Sequence, residues 1–275
     1  MPTIRETLRA AADRLTAAGV PDAPTDAALL LAYVTGEHPL NLRADPERAL
    51  PPSVCGEYEA LIRRRAEREP LQYITGEAWF MGLRLQTSPG VLIPRFDTET
   101  LCQAALERMQ GGERVLDLCT GSGALAVAIA HQFPQSRVCA GDISPAAIAL
   151  ARENAARCGA AVELRQGDLF APFAGIRFDI IVSNPPYIPS SALPGLQGEV
   201  LREPALALDG GEDGLRFYRR IIREAPAHLA PDGWLLLEIG SDQAAAVTGL
   251  MAADYRDIQT YSDLNGLSRA VAGRI

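Results

Sequence analysis

The sequence predicts an α/β fold: a seven-stranded, mostly parallel sheet with helices on both faces, preceded by a small helical domain and joined to it by a β-hairpin. Three observations predict this. From about residue 97 onward, short apolar runs of strand length alternate with helix-length segments, the pattern of a parallel sheet covered on both sides. The first 69 or so residues instead carry only helical periodicity. Between the two lies a stretch rich in aromatic and β-favouring residues, punctuated by Gly76, Gly82 and the pair Pro89-Gly90.

The helical domain is assigned to residues 1–72. "TIRETLRAAADRLTAAGV" opens on Thr3 as N-cap, ends at Gly19, and places Leu8, Ala12, Leu15 and Ala18 on one face. "PTDAALLLAYVTG" starts at a Thr25 cap and stops at Gly36; a third helix covers Glu57 to Glu69. Helices this few bury little surface by themselves, so this module docks on a neighbour. Its basic cluster "RRRAER" (Arg63 to Arg68) reads as a solvated helix face, with contact to an acidic partner surface as the lesser reading. Residues 73–92 form the linker, with a hairpin from Trp79 to Leu85.

The domain of residues 93–275 alternates regularly. A helix from Thr98 to Met109 precedes the strand "RVLDLC", a glycine turn and the helix "ALAVAIAHQF". There follow "RVCAGDI" (strand), "SPAAIALARENAARCG" (helix), and the strands "VELRQ" and "FDIIVSN". After a long loop come the helix "GLRFYRRIIREAPAHL", the strand "GWLLLEIG", a helix from Asp242, and two strands at Tyr255–Thr260 and Ser268–Ala272. Open sheets of this kind bind ligands at the carboxyl ends of their strands.

Composition narrows the function. The formal net charge of -8 and pI of about 5.0 argue against broad phosphate-backbone binding. All 26 basic residues are arginine, so no lysine nucleophile or Schiff base exists. Five scattered cysteines without a Cys-x-x-Cys pair read as reduced thiols, and three isolated histidines offer no metal cluster. The longest apolar run, Ala27 to Val34, is too short for a bilayer, and no signal pattern opens the chain. A soluble, cytoplasmic protein is expected, with no membrane partner and no direct nucleic-acid partner.

Three strand ends converge on a nucleoside pocket. "VLDLCTGSGALAVAIA" carries Asp117 at a strand end, then Cys119, Thr120, Gly121, Ser122 and Gly123 before a helix; glycines there let backbone N–H groups approach a ligand. The next strand ends in "GDIS", placing Asp142 where a carboxylate accepts both hydroxyls of a ribose. Ser144 can cap the following helix, leaving Asp142 free for the ligand. The third is followed by "QGDLF", where Asp168 can accept from an adenine amino group and Leu169 or Phe170 can pack on the ring. The turn is Asp-x-Cys-x-Gly-x-Gly, Ala126 stands where a dinucleotide site has its third glycine, and no arginine is near for a pyrophosphate. At these residues the chain resembles the class I S-adenosylmethionine-dependent methyltransferases, which are Rossmann-like. Cys119 replaces the first glycine of their pattern, one small residue for another.

The fourth strand ends in "NPPY". A residue before proline is held extended, and Pro185 and Pro186 fix two successive φ angles. This stiff corner offers the Asn184 side chain and the Pro185 carbonyl as paired acceptors for one planar NH2 group. Hydrogen bonds to both its protons turn the nitrogen lone pair toward a methyl donor, and stabilise the positive charge that develops during transfer. Tyr187 would pack on the flat group. Catalytic roles fall on Asn184, Pro185 and Tyr187; the methyltransferase resemblance implies cofactor contacts at Asp117, Cys119 to Gly123, Asp142, Asp168, Leu169 and Asn184, and substrate contacts at Asn184 to Tyr187.

The corner alone does not name the amine; adenine-amine DNA methyltransferases and rRNA guanine methyltransferases use similar ones. Four further segments, "PLQYITGEAWF", "IPRFDTETL", "EPALALDGGEDGLRFYRRI" and "LLLEIGSDQ", resemble the peptide chain release factor N(5)-glutamine methyltransferases of the HemK/PrmC family over essentially the whole chain. The resemblance implies S-adenosylmethionine as cofactor and, as substrate, the side-chain amide of glutamine in the Gly-Gly-Gln loop of class 1 release factors. It implies a helical domain that binds the release factor away from that loop; a monomer is expected. Phe96 and Arg202 stand where the family often has Pro and Tyr, and Phe80 and Arg95 are placed by the methionine end of the cofactor or in packing and surface pairing. A nucleic-acid exocyclic-amine methyltransferase, a non-catalytic cofactor-binding module and a NAD oxidoreductase remain as alternatives.

Overall fold

The computed structural model describes residues 1–275, which divide into two compact units. The first contains Met1–Gly76 together with Gln197–Arg202. Its helices are α1 (Ile4–Ala17), α2 (Ala23–Thr35), α3 (Pro39–Ala44), α4 (Pro52–Ala66) and α5 (Leu71–Thr75). Thr3 caps α1 through a reciprocal capping box with Glu6. Ile4, Leu15, Leu30, Leu31 and Ile62 form its buried core.

Two helices begin earlier than the sequence predicted. α2 starts at Ala23 rather than after Thr25, and α4 at Pro52 rather than Glu57. In both, a proline occupies the first turn, where its fixed φ suits a helix and its missing N–H would have no partner anyway. The short α3 and α5 escaped notice because one turn or so gives no readable period.

The basic cluster on α4 is not simply a solvated face. Arg65 is buried and donates to Asp26 Oδ2 at 2.7 Å and to Glu199 Oε1 at 2.7 Å. Arg68 joins the same carboxylate, with Nε 2.8 Å from Oε1, and Arg64 pairs with Glu69. Arg202 donates to the Glu67 carbonyl at 2.8 Å. Burial alone would raise the Glu199 carboxyl, but the hydrogen bonds from Arg68 and Arg65 outweigh it and hold it at about 2. These contacts are why the segment 197–202 belongs to the helical unit although it lies far along the chain.

The second unit contains Glu77–Leu196 and Glu203–Ile275. Strands β1 (Glu77–Phe80) and β2 (Leu83–Gln86) form an antiparallel hairpin. The sequence placed this hairpin in a linker of residues 73–92. The fold makes it part of the second unit, because Phe80 and Leu85 are fully buried in that unit's core beside Leu101 and Val115.

Then come α6 (Asp97–Leu106), β3 (Arg114–Leu118), α7 (Ala124–Gln132), β4 (Arg137–Asp142), α8 (Pro145–Arg157), β5 (Val162–Gln166), β6 (Phe178–Ser183), α9 (Arg216–Glu224), β7 (Leu229–Glu238), α10 (Ala244–Met251), β8 (Arg256–Ser262) and β9 (Ser268–Arg274). The sheet order is β5-β4-β3-β6-β7-β9-β8, with β9 alone running against the other six strands. One core packs α6 and α7 on one face of the sheet; the other holds residues of α9 and α10. The predicted α9 is shorter than its apolar pattern, ending before Pro226, which cannot continue a helix. The strand order reverses at β3, so its carboxyl end opens a crevice between the loops after β3, β4 and β6.

Candidate functional site

At that crevice lies a cavity of about 390 Å³, a size suited to a nucleoside-bearing ligand. Cys119, Thr120, Gly121, Ser122, Asp142, Asp168, Leu169, Asn184 and Pro186 all line it. Strand register brings them together. β3 pairs with β4 through Leu118 and Gly141, and with β6 through Leu118 and Ser183. Cys119, Asp142 and Asn184 therefore leave three adjacent strands side by side. The Ser183 hydroxyl, buried, donates to the Leu118 carbonyl at 2.8 Å and ties β6 to β3 at the mouth.

Asp142 accepts the Gly121 N–H at Oδ2 and the Ser144 N–H at Oδ1, both at 2.9 Å. Ser144 supplies the N-cap of α8, as its hydroxyl accepts from the Ala147 N–H. Burial raises the Asp142 carboxyl, and backbone N–H groups of Ser144, Gly121 and Ile143 oppose that rise. With one bond to each oxygen, the carboxylate keeps lone pairs for a diol. Asp168 is held by Arg220, whose two terminal nitrogens donate to its two oxygens at 3.2 and 2.9 Å.

Four residues assigned to the site do not line the cavity. Asp117 is fully buried behind the turn, where Oδ2 accepts the Thr120 hydroxyl at 2.5 Å and the Ala126 N–H at 3.3 Å. It shapes the turn from within, and burial pushes its carboxyl up to about 7. Gly123 meets a helix instead of a ligand: a Cβ there would stand 2.9 Å from Ala151 Cβ. Pro185 is buried, and Tyr187 turns its ring into the core around β7. Cys119 occupies the left-handed region at φ 59°, which explains why glycine suits this position in the wider pattern.

The corner is braced from several sides. Asn184 Nδ2 donates to Thr98 Oγ1 at 3.2 Å, so Oδ1 is the acceptor left at the cavity wall. Gln243 Nε2 donates to the Tyr187 carbonyl at 3.0 Å. Gly214 approaches that carbonyl so closely that an added Cβ would lie 2.4 Å from it. Tyr187 Oη is 3.4 Å from Glu238 Oε1, and Glu238 is buried with its carboxyl pushed up to about 7 by desolvation. Nearby, Glu203 accepts the Ile93 N–H at 2.9 Å and pairs with Arg95, fixing the "IPR" and "REP" segments together at the cavity rim. Phe80 is fully buried and packs the core, whereas Arg95 lines the cavity.

The structure adds residues that pattern reading missed. Ile143 follows Asp142 in "GDIS" and lines the cavity, yet remains 52% exposed, leaving an apolar surface at the cavity wall. Its position directly after the diol acceptor was the available signal. Thr98, Arg220 and Gln243 gave none, since each reaches the site from a helix or loop remote in sequence. Apolar walls at Ile143, Leu169 and Phe217, with carboxylates at Asp142 and Asp168, fit an adenosine-bearing cofactor such as S-adenosylmethionine.

Comparison with known proteins agrees over the full chain. Residues 6–76 match the family described as PrmC N-terminal domain, and residues 83–208 match the methyltransferase small domain. The release factor glutamine methyltransferase of Geobacter sulfurreducens is 46% identical, covering 99% of this chain and 97% of the relative. The chain belongs to the release factor glutamine methyltransferase family. A second member, from Moorella thermoacetica, is also 46% identical over 97% of this chain and 96% of its own length.

Among solved structures, the family's fold reappears in a Lactobacillus delbrueckii subsp. bulgaricus ribosomal protein L11 methylase (TM-score 0.50, 26% identity, 68% of this chain and 82% of that one). A Thermus thermophilus 16S rRNA N2 G1207 methyltransferase in complex with AdoMet and guanosine aligns at TM-score 0.54 and 20% identity, over 72% of this chain and 49% of that one, and speaks to fold alone.

Proposed function

We propose that this chain transfers a methyl group from S-adenosylmethionine to the side-chain amide nitrogen of the glutamine in the Gly-Gly-Gln motif of class 1 peptide chain release factors. The single observation that carries the chemistry is the commitment of Asn184 Nδ2 to Thr98, which leaves Oδ1 as a fixed acceptor beside the cofactor cavity. Full-length similarity to relatives named for this activity supplies the identity of the amide.

An amide nitrogen is a poor nucleophile because its lone pair is delocalised into the carbonyl. Asn184 Oδ1 accepts one of its protons and draws it toward a pyramidal form, on a backbone corner that Pro185 and Pro186 keep rigid. This acceptor faces charge that grows as the bond to carbon forms and the bond from carbon to sulfur breaks, so it stabilises the transition state more than the ground state. The cofactor supplies the electrophilic methyl on its sulfonium. Asp142 would hold the ribose and Asp168 the adenine amino group, while Ile143 and Leu169 would cover the ring. Tyr187 supports the corner from the core side. The cationic product amide loses its proton to water, so no strong base is needed.

The acidic charge suits a protein substrate better than nucleic acid. The helical unit binds the release factor away from its loop, the enzyme works as a monomer, and the reaction takes place in the cytoplasm. No helix is long and apolar enough to cross a membrane. Incubation with labelled cofactor and either release factor or DNA and RNA tests the reading. Mass spectrometry should find one added methyl on the Gly-Gly-Gln peptide; label only in nucleic acid overturns it.

A further inference from the structure

The segments "EDGLRFY" (Glu212 to Tyr218) and "LEIGSDQ" (Leu237 to Gln243) carry residues that the chemistry above does not use. They meet at one atom, the Tyr187 carbonyl oxygen. Gln243 is buried, and its Nε2 donates to that oxygen at 3.0 Å. Gly214, at φ 74°, comes so close that a Cβ there would stand 2.4 Å from the same oxygen and 2.8 Å from Gln243 Nε2.

The direction of the Gln243 amide is fixed by its surroundings. Its Oε1 accepts the Gly240 N–H at 2.9 Å, while its own backbone N–H returns to the Gly240 carbonyl at 2.9 Å. The Tyr218 hydroxyl, 2.8 Å from the Glu238 carbonyl, faces Oε1 as well, at 3.3 Å. A backbone N–H can only donate, so it selects the amide oxygen and leaves the NH2 for Tyr187.

The corner needs a donor from outside. Pro185 and Pro186 have no N–H, so this stretch is tied to its surroundings chiefly through the carbonyls it offers. Upstream, Ser183 is held by strand register and by its hydroxyl on the Leu118 carbonyl. Downstream, the Ile188 N–H donates to the Leu208 carbonyl at 2.9 Å, and the Ile188 carbonyl accepts the Gly210 N–H at 2.8 Å. Gln243 supplies the bond between these anchors. Two fixed φ angles leave little torsional slack, so a shift at Tyr187 is carried to Asn184 rather than absorbed on the way.

We propose that Gln243 is a positioning residue for methyl transfer: by holding the Tyr187 carbonyl it fixes, through the rigid Pro185-Pro186 segment, the place of Asn184 Oδ1 at the cavity wall. This rests on the amide-methylation reading and deepens it. Gln243 is not among the residues lining the cavity, so its loss should slow the chemical step and spare cofactor binding.

The test uses the full chain with saturating S-adenosylmethionine and a release factor, comparing Gln243→Met and Gln243→Glu. The first keeps the volume and removes the donor. The second keeps an acceptor for the Gly240 N–H but, when ionised, turns a lone pair toward the Tyr187 carbonyl. Single-turnover rates of both at neutral pH should fall about tenfold or more, since a displacement of ~1 Å can cost on the order of a hundredfold, with cofactor affinity unchanged within about twofold. A protonated carboxyl can donate again. The rate of Gln243→Glu relative to the unaltered protein should therefore recover as pH falls, while that of Gln243→Met stays flat. The ionisable groups of the neighbourhood, Tyr187, Tyr218, Glu238, Asp242 and Arg269, are the same in all three proteins, so the ratio isolates position 243.

Independently of activity, NMR of the unaltered protein should show a coupling across the hydrogen bond from Gln243 Nε2 to the Tyr187 carbonyl carbon, and the Asn184 side-chain amide signals should move in Gln243→Met. Variants that are folded by thermal unfolding and run at full rate overturn the proposal. A ratio for Gln243→Glu that does not rise as pH falls, a missing coupling, or unmoved Asn184 signals overturns it too. Failure of the unaltered protein to methylate any release factor instead overturns the substrate assignment, and the NMR arm still judges Gln243.

Discussion

Arg220 grips Asp168 with two hydrogen bonds, 3.2 Å to Oδ1 and 2.9 Å to Oδ2. The carboxylate assigned to the adenine amino group is thus already oriented by an arginine from α9, itself on the cavity wall. Both side chains are substantially exposed, so the pair contributes at most about 1 kcal/mol to stability. On the proposed role of Asp168 its effect belongs to binding: fixing the carboxylate would lower the ordering cost when the base arrives. Arg220→Ala should leave Tm within a few degrees and weaken S-adenosylmethionine several-fold. Asp168→Ala should weaken it by about tenfold, the value of one hydrogen bond to a charged acceptor. Titration calorimetry with the cofactor reads both, and equal affinity in all three proteins would remove Asp168 from adenine recognition.

Asn184→Ala deletes the acceptor proposed for the reacting nitrogen while leaving the proline-fixed backbone intact. Turnover should fall about a hundredfold or more, by analogy with removing one transition-state hydrogen-bonding group. Single-turnover kinetics at saturating cofactor measure it. A change below threefold would take Asn184 out of the mechanism.

Gly123 ends the turn at φ 81°, with Ala151 of α8 against it. Gly123→Ala both strains the backbone and drives a methyl into Ala151, and should cost about 1–3 kcal/mol. Adding Ala151→Gly removes the steric part and leaves the backbone part. Thermal unfolding of the single and double variants should therefore show partial recovery; full recovery would mean that the left-handed φ costs nothing.

Two sets of carboxyls give stability opposite pH dependences. Glu199 sits near 2 in the folded chain against 4.5 unfolded, so between these values the unfolded chain binds more protons. Its contribution is full above about 4.5 and is lost as pH falls toward 2. Glu238 is near 7 against 4.5, and between those values the folded chain binds more protons. Stability from that site therefore declines as pH rises from 4.5 to 7, by on the order of 3 kcal/mol. Glu238→Gln should flatten this decline in urea unfolding, and Glu199→Gln should flatten acid-induced loosening of residues 1–76 in hydrogen exchange.

Local signals in the chain were enough for the strand–helix alternation, the glycine turn and the placing of Asp142 and Asn184 at strand ends that meet at one cavity. Each depends on a period or on a residue type whose backbone freedom or rigidity acts within a few positions. The same locality explains why some placements could not be foreseen. Asp117 sits in the pattern of a cofactor-binding turn, yet parallel pairing on both sides of β3 turns its side chain inward, onto Thr120 and Ala126. "RRRAER" had the look of a solvated face because its partners, Asp26 and Glu199, lie 39 and 134 residues from Arg65.

The alternating strands, their apolar character and the proline-locked corner follow from short-range sterics and side-chain periodicity, so they are written in the order of residues. The supports of the site are not. Thr98 behind Asn184, Arg220 on Asp168, Gln243 under Tyr187 and Glu238 beside the Tyr187 hydroxyl meet only when α6, α9, the loop before α10 and β7 pack around the carboxyl ends of the sheet. Hydrogen bonds between side chains hold only near 3 Å, and no one-dimensional pattern encodes which remote residues come that close.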